Sequence, residues 1–327
     1  MSRRQVGAAA GTALAAAFAL GALTGCAAGA AGPSPAPTLA AFQLDRDFPD
    51  PGALVVGDRV FVYATNAPGM NVQLASSSDM RHWTMSGADA LPELPSWATP
   101  GKTWAPGPAA LTGGRYALYF SATDTASGRQ CIGAAFASDP AGPFSSPSAT
   151  PLVCPVDEGG AIDASVFTAD DGTRYLAWKN DGNCCGLDTW IHVQQLSSDG
   201  TALVGAETKL IKQTEPWEGQ LVEAPVIVKH GGSYVLLYSA NDYGGDSYAT
   251  GAATASSLLG PYAKHDGPIL STTGSGGRYR GPGGADLVTF KGRDWMLFHS
   301  WDDATVYRGL HAVPVAWRGG VPVPAEG

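Results

Sequence analysis

The stretch EAPVIVKHGGSYVLLYSAND, residues 223–242, contains two apolar runs that are separated by a pair of glycines. The runs are rich in Val, Leu and Tyr, which favour β-strands, and a glycine pair between two such runs is typical of a hairpin turn. Glu223 opens the first run, and small polar residues close the second. The stretch therefore predicts a β-hairpin whose first strand begins beside a carboxylate.

The same pattern recurs four more times along the chain. The other copies begin at residues 50, 105, 163 and 284 and read DPGALVVGDRVFVYATN, APGPAALTGGRYALYFSATD, DASVFTADDGTRYLAWKND and GADLVTFKGRDWMLFHSWDD. Each copy is followed by further short strand-like segments, and the composition of 43 glycines and 24 prolines suits a chain with many turns. Repeats of roughly 55–60 residues, each forming one small sheet, are typical of a propeller. We therefore predict an all-β fold, a five-bladed β-propeller.

The beginning of each copy carries the candidate functional residues. Alignment of the copies on the start of their second strands gives one equivalent position, which holds Asp50, Pro106, Asp163, Glu223 and Gly284. The inner strands of a propeller surround a central channel, so these positions should meet at one mouth. Asp50, between Pro49 and Pro51, would suit a rigid turn, but glutamate is a poor turn residue. Three converging carboxylates therefore predict a functional site.

The first 44 residues are predicted to lie outside the propeller. Residues 1–25 have the charged start and the short apolar run of a signal peptide. The segment LTGC, residues 23–26, resembles a bacterial lipobox, in which Cys26 would be lipidated and would begin the mature chain. Residues 26–44 are then a lipid-anchored flexible tether, and residues 45–327 are the propeller. Ordinary signal-peptide cleavage near this point is the alternative, and Arg3 and Arg4 leave both general and twin-arginine export open.

The charge balance restricts the partners. Without Arg3 and Arg4, 18 basic residues stand against 29 acidic ones, a net charge of −11. This charge disfavours nucleic acid and anionic lipid as partners, because phosphate binding needs clustered Lys and Arg. We therefore expect an exported monomer, either anchored to the outer face of the cell membrane or secreted. Its only membrane contact would be the N-terminal lipid.

Four cysteines remain once Cys26 is assigned to the lipid, and they allow three disulfide pairings. We favour a Cys131–Cys154 bond, which leaves the adjacent residues Cys184 and Cys185. Neighbouring Cα atoms lie about 3.8 Å apart, below the usual disulfide range of about 4.4–6.8 Å. Either a bond between neighbours or two free thiols is therefore possible. The spacing does not suggest a metal site.

Two carboxyl groups on opposite sides of a sugar can hydrolyse a glycosidic bond. One protonates the leaving oxygen, and the other activates water. A third carboxylate beside the acid would raise its pKa and keep it protonated. The predicted site therefore suits glycoside hydrolysis.

Six short motifs resemble those of glycoside hydrolase family 43, and the resemblance covers residues 45 to about 318. They are PDP at 49–51, WAP at 104–106, IDAS at 162–165, VEAP at 222–225, GPGG at 281–284 and FHSW at 298–301. The resemblance implies a five-bladed propeller that inverts anomeric configuration and acts on arabinan, arabinofuranosides or xylosides. It also implies that Asp50 is the general base, Asp163 the pKa modulator and Glu223 the general acid.

The chain departs from the family pattern at Gly284. Many members have a histidine there that holds a calcium or sodium ion on the propeller axis. Gly284 has no side chain, so we expect no cofactor and no axial metal. His299, on a neighbouring strand, is expected to face the core or the substrate rather than to replace that ligand.

Four residues are candidates for substrate contact: Trp104, Lys179, Arg280 and His299. The face of Trp104 suits stacking on a furanose, although core packing is an equal alternative. Lys179 and Arg280 stand at predicted strand ends facing the mouth, where each would bind sugar hydroxyls or pair with the acids.

The motifs favour α-L-arabinofuranosyl linkages, because the GPGG and FHSW pair looks like the arabinanase-type members. A β-xylosidase of the same family is one alternative, and a catalytically silent sugar-binding propeller is another. A retaining, fructosidase-like propeller would open with Asn-Asp-Pro, and the segment FPDP lacks that Asn.

Overall fold

The computed structural model describes residues 38–325. The predicted signal peptide, Cys26 and residues 27–37 of the predicted tether lie outside this range. Within residues 38–325, no helix is both long and apolar enough to cross a membrane.

The stretch that predicts the fold forms two adjacent strands. Strand β12 spans Val222–His230 and strand β13 spans Ser233–Ala240, with His230 paired to Ser233. Gly231 and Gly232 form the turn, with φ values of 57° and 85°. Only glycine adopts two successive left-handed conformations without a steric cost, and this turn matches the twist of the paired strands.

Five such hairpins are extended to five antiparallel sheets. Blade 1 contains β1 (Gly52–Val56), β2 (Arg59–Ala64), β3 (Gln73–Ser77) and β4 (Thr84–Met85), and blade 2 contains β5 (Ala98–Ala110), β6 (Tyr116–Asp124) and β7 (Gln130–Ala137). Blade 3 contains β8 (Ala161–Thr168), β9 (Arg174–Asn180), β10 (Trp190–Leu196) and β11 (Leu203–Lys212), and blade 4 adds β14 (Ala249–Ala255) and β15 (Ala263–Lys264) to β12 and β13. Blade 5 contains β16 (Arg280–Phe290), β17 (Arg293–Trp301), β18 (Arg308–Arg318) and β19 (Val321–Pro324). The predicted five-bladed β-propeller is confirmed.

The first strand of each blade lines a central channel of about 220 Å³. Five apolar clusters fill the spaces between neighbouring blades. Between blades 1 and 2, for example, buried Tyr63 and Leu74 pack with Leu118 and Phe120. Each blade thus buries both faces of its sheet, and the inner strands are held in a fixed ring around the axis.

The chain closes the ring where blade 5 meets blade 1. Before β1, Leu44 pairs with Leu310 of β18, and the Gln43 amide donates to the Leu310 carbonyl at 2.9 Å. The Ala40 amide also donates to the carbonyl of Arg278 at 2.9 Å. Residues 40–44, which the sequence assigns to the tether, are therefore packed on the last blade, and the ordered domain begins before residue 45.

Two disulfide bonds lie in blades 2 and 3. Cys131 of β7 is bonded to Cys154, with Cα atoms 4.7 Å apart. Cys184 and Cys185, in the loop between β9 and β10, are bonded to each other, with Cα atoms 3.8 Å apart.

Candidate active site

Each inner strand has a left-handed residue at one equivalent position, either within a bulge or just before pairing with the second strand begins. These residues are Asp50, Ala105, Asp163, Ala224 and Gly284, with φ values of 56°, 42°, 61°, 50° and 59°. Each stands two positions before the residue at which regular pairing with the second strand begins. A left-handed conformation costs a non-glycine residue about 1–3 kcal/mol and is concentrated at functional sites.

The left-handed residues are fixed by a repeated contact between blades. The amide of a left-handed residue donates to a side chain on, or directly after, the second strand of the preceding blade. These bonds join Asp50 to His299 Nδ1 (3.0 Å), Ala105 to Thr65 Oγ1 (3.0 Å), Asp163 to Ser121 Oγ (3.2 Å) and Gly284 to Ser239 Oγ (2.8 Å). In blade 3 the equivalent residue is Lys179, which has no acceptor. The amide of Ala224 therefore donates to Asp163 Oδ2 instead, at 2.9 Å.

This geometry corrects the sequence alignment in blades 2 and 4. The equivalent positions there are Ala105 and Ala224, not Pro106 and Glu223. The hairpin turns differ in length, so the second-strand residues used for the alignment are not at equivalent heights. Glu223 stands one residue before the left-handed position of its blade, where its extra methylene gives it a longer reach than aspartate.

The three predicted carboxylates lie together. Asp50, Asp163 and Glu223 line a single open cavity of about 620 Å³ at one end of the channel. Trp104, Lys179, Tyr248 and Arg308 also line it. The volume lies in the range of small-molecule sites, about 300–1,000 Å³.

Asp50 is surrounded by groups that stabilise its ionised form. Its Oδ2 accepts a hydrogen bond from Thr65 Oγ1 at 2.7 Å, and its Oδ1 lies 3.4 Å from Arg308 Nη1. Burial by itself would raise the pKa of Asp50, but the Arg308 charge and the Thr65 hydrogen bond outweigh it, and the pKa lies below its ordinary value. Asp50 is therefore a carboxylate at neutral pH, with 23% of its side chain exposed to the cavity.

His299 supports Asp50 from behind as a neutral ring. It is fully buried, and burial together with the Arg308 charge lowers its pKa to about 3. Because its Nδ1 accepts the Asp50 amide hydrogen, the ring proton is on Nε2. His299 does not line the cavity, so its expected contact with substrate is replaced by a contact with the backbone of Asp50.

Glu223 is held by two donors. Lys179 Nζ donates to its Oε2 at 3.1 Å, and the Tyr248 hydroxyl donates to its Oε1 at 2.8 Å. Lys179 is completely buried and also lies 3.6 Å from Asp181. Lys179 lines the cavity as predicted, but its ammonium group is paired with acids, and both oxygens of Glu223 are fixed in place.

Asp163 lies beside this ion pair with less compensation. Burial and the charge of Glu223 raise the pKa of Asp163 far above its ordinary value, although Lys179 opposes the shift. Its Oδ2 accepts the Ala224 amide hydrogen, so a proton on Asp163 is carried by Oδ1. Asp163 and Glu223 are therefore a neighbouring pair in which Asp163 retains its proton near neutral pH.

We predict that Asp163→Asn moves the alkaline limb of the pH–rate profile to lower pH by at least about one unit, the effect of one close like charge. In the wild-type pair the second proton leaves against a neighbouring negative charge, which raises the pH of that loss. Asparagine is neutral, so the remaining proton leaves at lower pH. The measurement is kcat/KM from pH 4 to pH 10, and an unchanged alkaline limb would contradict the coupling.

The other sequence candidates divide into one that lines the cavity and one that does not. Trp104 lines it and is partly exposed. Arg280 does not: its Nη2 and Nε bind Asp246 Oδ1 at 3.0 and 3.1 Å, and its Nη1 donates to the Asp303 carbonyl at 3.0 Å. Arg308, which the sequence reading missed, supplies the arginine instead.

The residues around Gly284 do not fit an axial metal ion. A Cβ at Gly284 would lie 2.9 Å from two atoms of the His299 ring, so that ring occupies the space of the family histidine. The Nδ1 atom of His299 accepts the Asp50 amide hydrogen, and its Nε2 atom lies 3.5 Å from the Arg308 guanidinium. Within residues 38–325, the one cluster with the spacing of metal ligands is Asp124, Cys131 and Cys154, whose cysteines are bonded to each other. Because the two His299 nitrogens face the Asp50 amide and the Arg308 guanidinium, the surroundings of Gly284 do not suit a cation on the axis.

A five-bladed propeller with three carboxyl groups at one mouth, of which Asp50 is ionised and Asp163 holds a proton, has the architecture of a glycoside hydrolase. Residues 44–322 match the profile described as glycosyl hydrolases family 43. The chain belongs to glycoside hydrolase family 43.

Known proteins similar to this chain carry several activities in their names. A putative beta-xylosidase of Xylanibacter ruminicola is 27% identical over 282 residues, covering 84% of this chain and 48% of the relative. An arabinoxylan arabinofuranohydrolase of Bacillus subtilis is 28% identical, covering 77% of this chain and 55% of the relative. The chain thus spans about half the length of these two relatives. A beta-D-galactofuranosidase of Aspergillus niger is 27% identical, covering 77% of this chain and 73% of the relative.

Solved structures give the same fold. The crystal structure of a thermostable family-43 glycoside hydrolase superposes with a TM-score of 0.75 at 27% identity, covering 89% of this chain and 95% of that one.

Proposed function

We propose that the protein is an inverting glycoside hydrolase that cleaves α-L-arabinofuranosyl linkages in plant cell-wall arabinan or another arabinose-containing polysaccharide. The observation that carries the proposal is the contrast between the carboxylates of one cavity. Arg308 and Thr65 hold Asp50 in its ionised form, whereas burial and the charge of Glu223 raise the pKa of Asp163, so that a proton is held directly beside Glu223. Groups of opposite protonation state are what a base and an acid require.

In this mechanism Asp50 takes a proton from a water molecule as the water oxygen attacks the anomeric carbon. The bond from that carbon to the leaving oxygen breaks, and Glu223 gives its proton to the leaving oxygen. Attack from the face opposite the leaving group inverts the configuration, and no covalent bond to the protein is formed. Arg308 and Thr65 do not transfer protons. They keep Asp50 charged and oriented.

The proton of the pair must be on Glu223 when the glycosidic bond breaks. In the free protein, the raised pKa of Asp163 keeps that carboxyl group protonated near neutral pH, and Lys179 and Tyr248 both donate to Glu223. Lys179 also lies 3.6 Å from Asp181, which offers its ammonium group a second partner. A shift of Lys179 toward Asp181 would leave Glu223 free to accept the proton.

The arabinofuranosyl assignment rests on the GPGG and FHSW motifs and on the similarity to the arabinoxylan arabinofuranohydrolase. A β-xylosidase is the second candidate, favoured by the similarity to the putative beta-xylosidase over 84% of this chain. We also propose export with a lipid on Cys26, on the basis of the LTGC segment.

The test is a substrate panel followed by analysis of the first product. The panel contains 4-nitrophenyl α-L-arabinofuranoside, 4-nitrophenyl β-D-xylopyranoside, linear and branched arabinan, and arabinoxylan. Release of arabinose, first seen by NMR as the β-anomer, would support the proposal. Xylose release would transfer it to the second candidate, and an α-anomer of arabinose would overturn inversion. Sugar binding without cleavage of any substrate would indicate a silent propeller.

A further inference from the structure

The disulfide between Cys184 and Cys185 stands at the rim of the catalytic cavity. The loop that carries it, residues 181–189, joins β9 to β10 of blade 3. Both cysteines are exposed, and Cys184 and its neighbour Asn183 line the same cavity as the three carboxylates. The mechanism proposed above uses neither sulfur atom.

A bond between neighbouring cysteines closes a small ring with their shared peptide. Two thiols at this position would be separate S–H donors that rotate independently. The side-chain part of the ring instead presents two polarisable sulfur atoms and two methylenes and has no S–H donor. Such a surface suits contact with the C–H face of a neutral sugar.

The ring is held in place from both sides. Asn180 Nδ2 donates to the carbonyls of Glu158 and Asp188, both at 3.0 Å, which closes the base of the loop. From blade 2, Arg129 Nη1 lies 2.8 Å from the Cys185 sulfur and 3.3 Å from the Cys184 sulfur. A surface that is already fixed loses little conformational entropy when a ligand binds.

The ring lies on the acid side of the cavity. Asp181, which contacts Lys179, begins the same loop, and its carbonyl accepts the Cys184 amide hydrogen at 3.2 Å. Lys179 in turn contacts Glu223. Asp50 is surrounded instead by residues of blades 1 and 5. Because the acid protonates the leaving oxygen, a sugar near Glu223 and this loop belongs to the leaving group.

We propose that the Cys184–Cys185 ring is a binding platform for the sugar on the leaving-group side of the cleaved bond. The ligand class is a neutral pentose unit of an oligosaccharide, which lays its C–H face on the Cys184 side of the ring while Asn183 bonds a hydroxyl group. The assignment rests on the proposed function, because the acid defines the leaving-group side.

The test compares Cys184→Ser/Cys185→Ser with Cys131→Ser/Cys154→Ser, which removes the disulfide that does not line the cavity. The probes are 1,5-α-L-arabinotriose and 1,4-β-D-xylotriose, whichever the wild type cleaves. We expect the first variant to raise KM by about threefold to tenfold, the loss of one small apolar contact. KM should change more than kcat, and the inhibition constant of the free pentose, which reports the other side of the bond, should stay constant. The control variant should keep the wild-type KM.

A phosphine reductant provides a second measurement. Reduction should raise KM of the wild type, reoxidation should restore it, and Cys184→Ser/Cys185→Ser should not respond. An unchanged KM after ring opening would overturn the platform. Equal changes in KM, kcat and pentose inhibition would also overturn it, because they would show that the ring only supports the loop.

If the wild type cleaves neither trisaccharide, the proposed function fails separately. Titration calorimetry of both trisaccharides with wild type and variant then decides the platform, since equal affinities would refute it.

Discussion

Asp50→Asn is expected to lower kcat by about 10²- to 10⁴-fold, the usual contribution of a general base. Asparagine has the shape of aspartate and tolerates the left-handed backbone that Asp50 adopts at φ 56°. Its amide oxygen can still accept the Thr65 hydrogen bond, so the fold should be retained. What the variant lacks is a group that removes a proton from water. The measurement is turnover on the best substrate, with a melting curve for both proteins.

Asp286→Asn is the matched control for this variant. Asp286 is a half-buried carboxylate of inner strand β16, but it lines the axial channel, where its Oδ2 accepts the Ala53 amide hydrogen at 2.7 Å. Burial raises the pKa of Asp286 to about 6, so a neutral amide resembles one of its own states. Comparable losses in both variants would show that Asp50 acts through packing. Rescue of Asp50→Asn by azide, with a product of retained configuration, would contradict the inverting mechanism.

Glu223→Gln is expected to have an effect that depends on the leaving group. Natural linkages leave as poorly stabilised alkoxides and need the proton, so kcat on oligosaccharides should fall by about 10²- to 10⁴-fold. An activated aryl group such as 2,4-dinitrophenol leaves as a stable anion, so its cleavage should fall far less. Paired assays on a 2,4-dinitrophenyl glycoside and the corresponding oligosaccharide measure the difference.

Glu207→Gln, on outer strand β11, is the control for replacing a glutamate by glutamine, and it should leave both rates at the wild-type value. Equal losses on both substrates for Glu223→Gln would mean that Glu223 is not the acid. If Asp163→Asn showed the leaving-group dependence instead, the proton held on Asp163 in the free protein would be the one that is transferred, and the roles would have to be exchanged.

The fold was accessible from the sequence because each blade repeats the same local chemistry. Turns such as Gly231-Gly232 and alternating apolar strands are local signals, and five copies leave few architectures open. The convergence of Asp50, Asp163 and Glu223 followed from the symmetry of the ring. The exact equivalence did not, because hairpin turns of different length separate the first strands from the second-strand residues used for the alignment, so that Glu223 is aligned where Ala224 stands.

The supporting side chains could not be read from the sequence, because they reach the site from different blades. Tyr248 precedes the small-residue strand β14, and nothing local indicates that its hydroxyl meets Glu223. Arg308 and Arg280 look alike at strand ends. In the structure Arg280 pairs with Asp246, whereas Arg308 faces Asp50. His299 belongs to the recognisable FHSW motif, but its role comes from the hydrogen bond that it accepts from the Asp50 amide, which the sequence does not show.

The junction between the last blade and the first has a consequence for how the protein fails. It is held by hydrogen bonds and packing, such as Leu44 with Leu310 and the Phe48 amide with the Arg308 carbonyl at 2.9 Å. Both disulfides of the described chain lie elsewhere, in blades 2 and 3. Asp50, His299 and Arg308 meet across this junction, whereas Asp163 and Glu223 do not. Separation of the first blade from the last would therefore displace the base, while the acid and its neighbours remained assembled. We expect turnover to be lost on heating before most of the sheet structure unfolds.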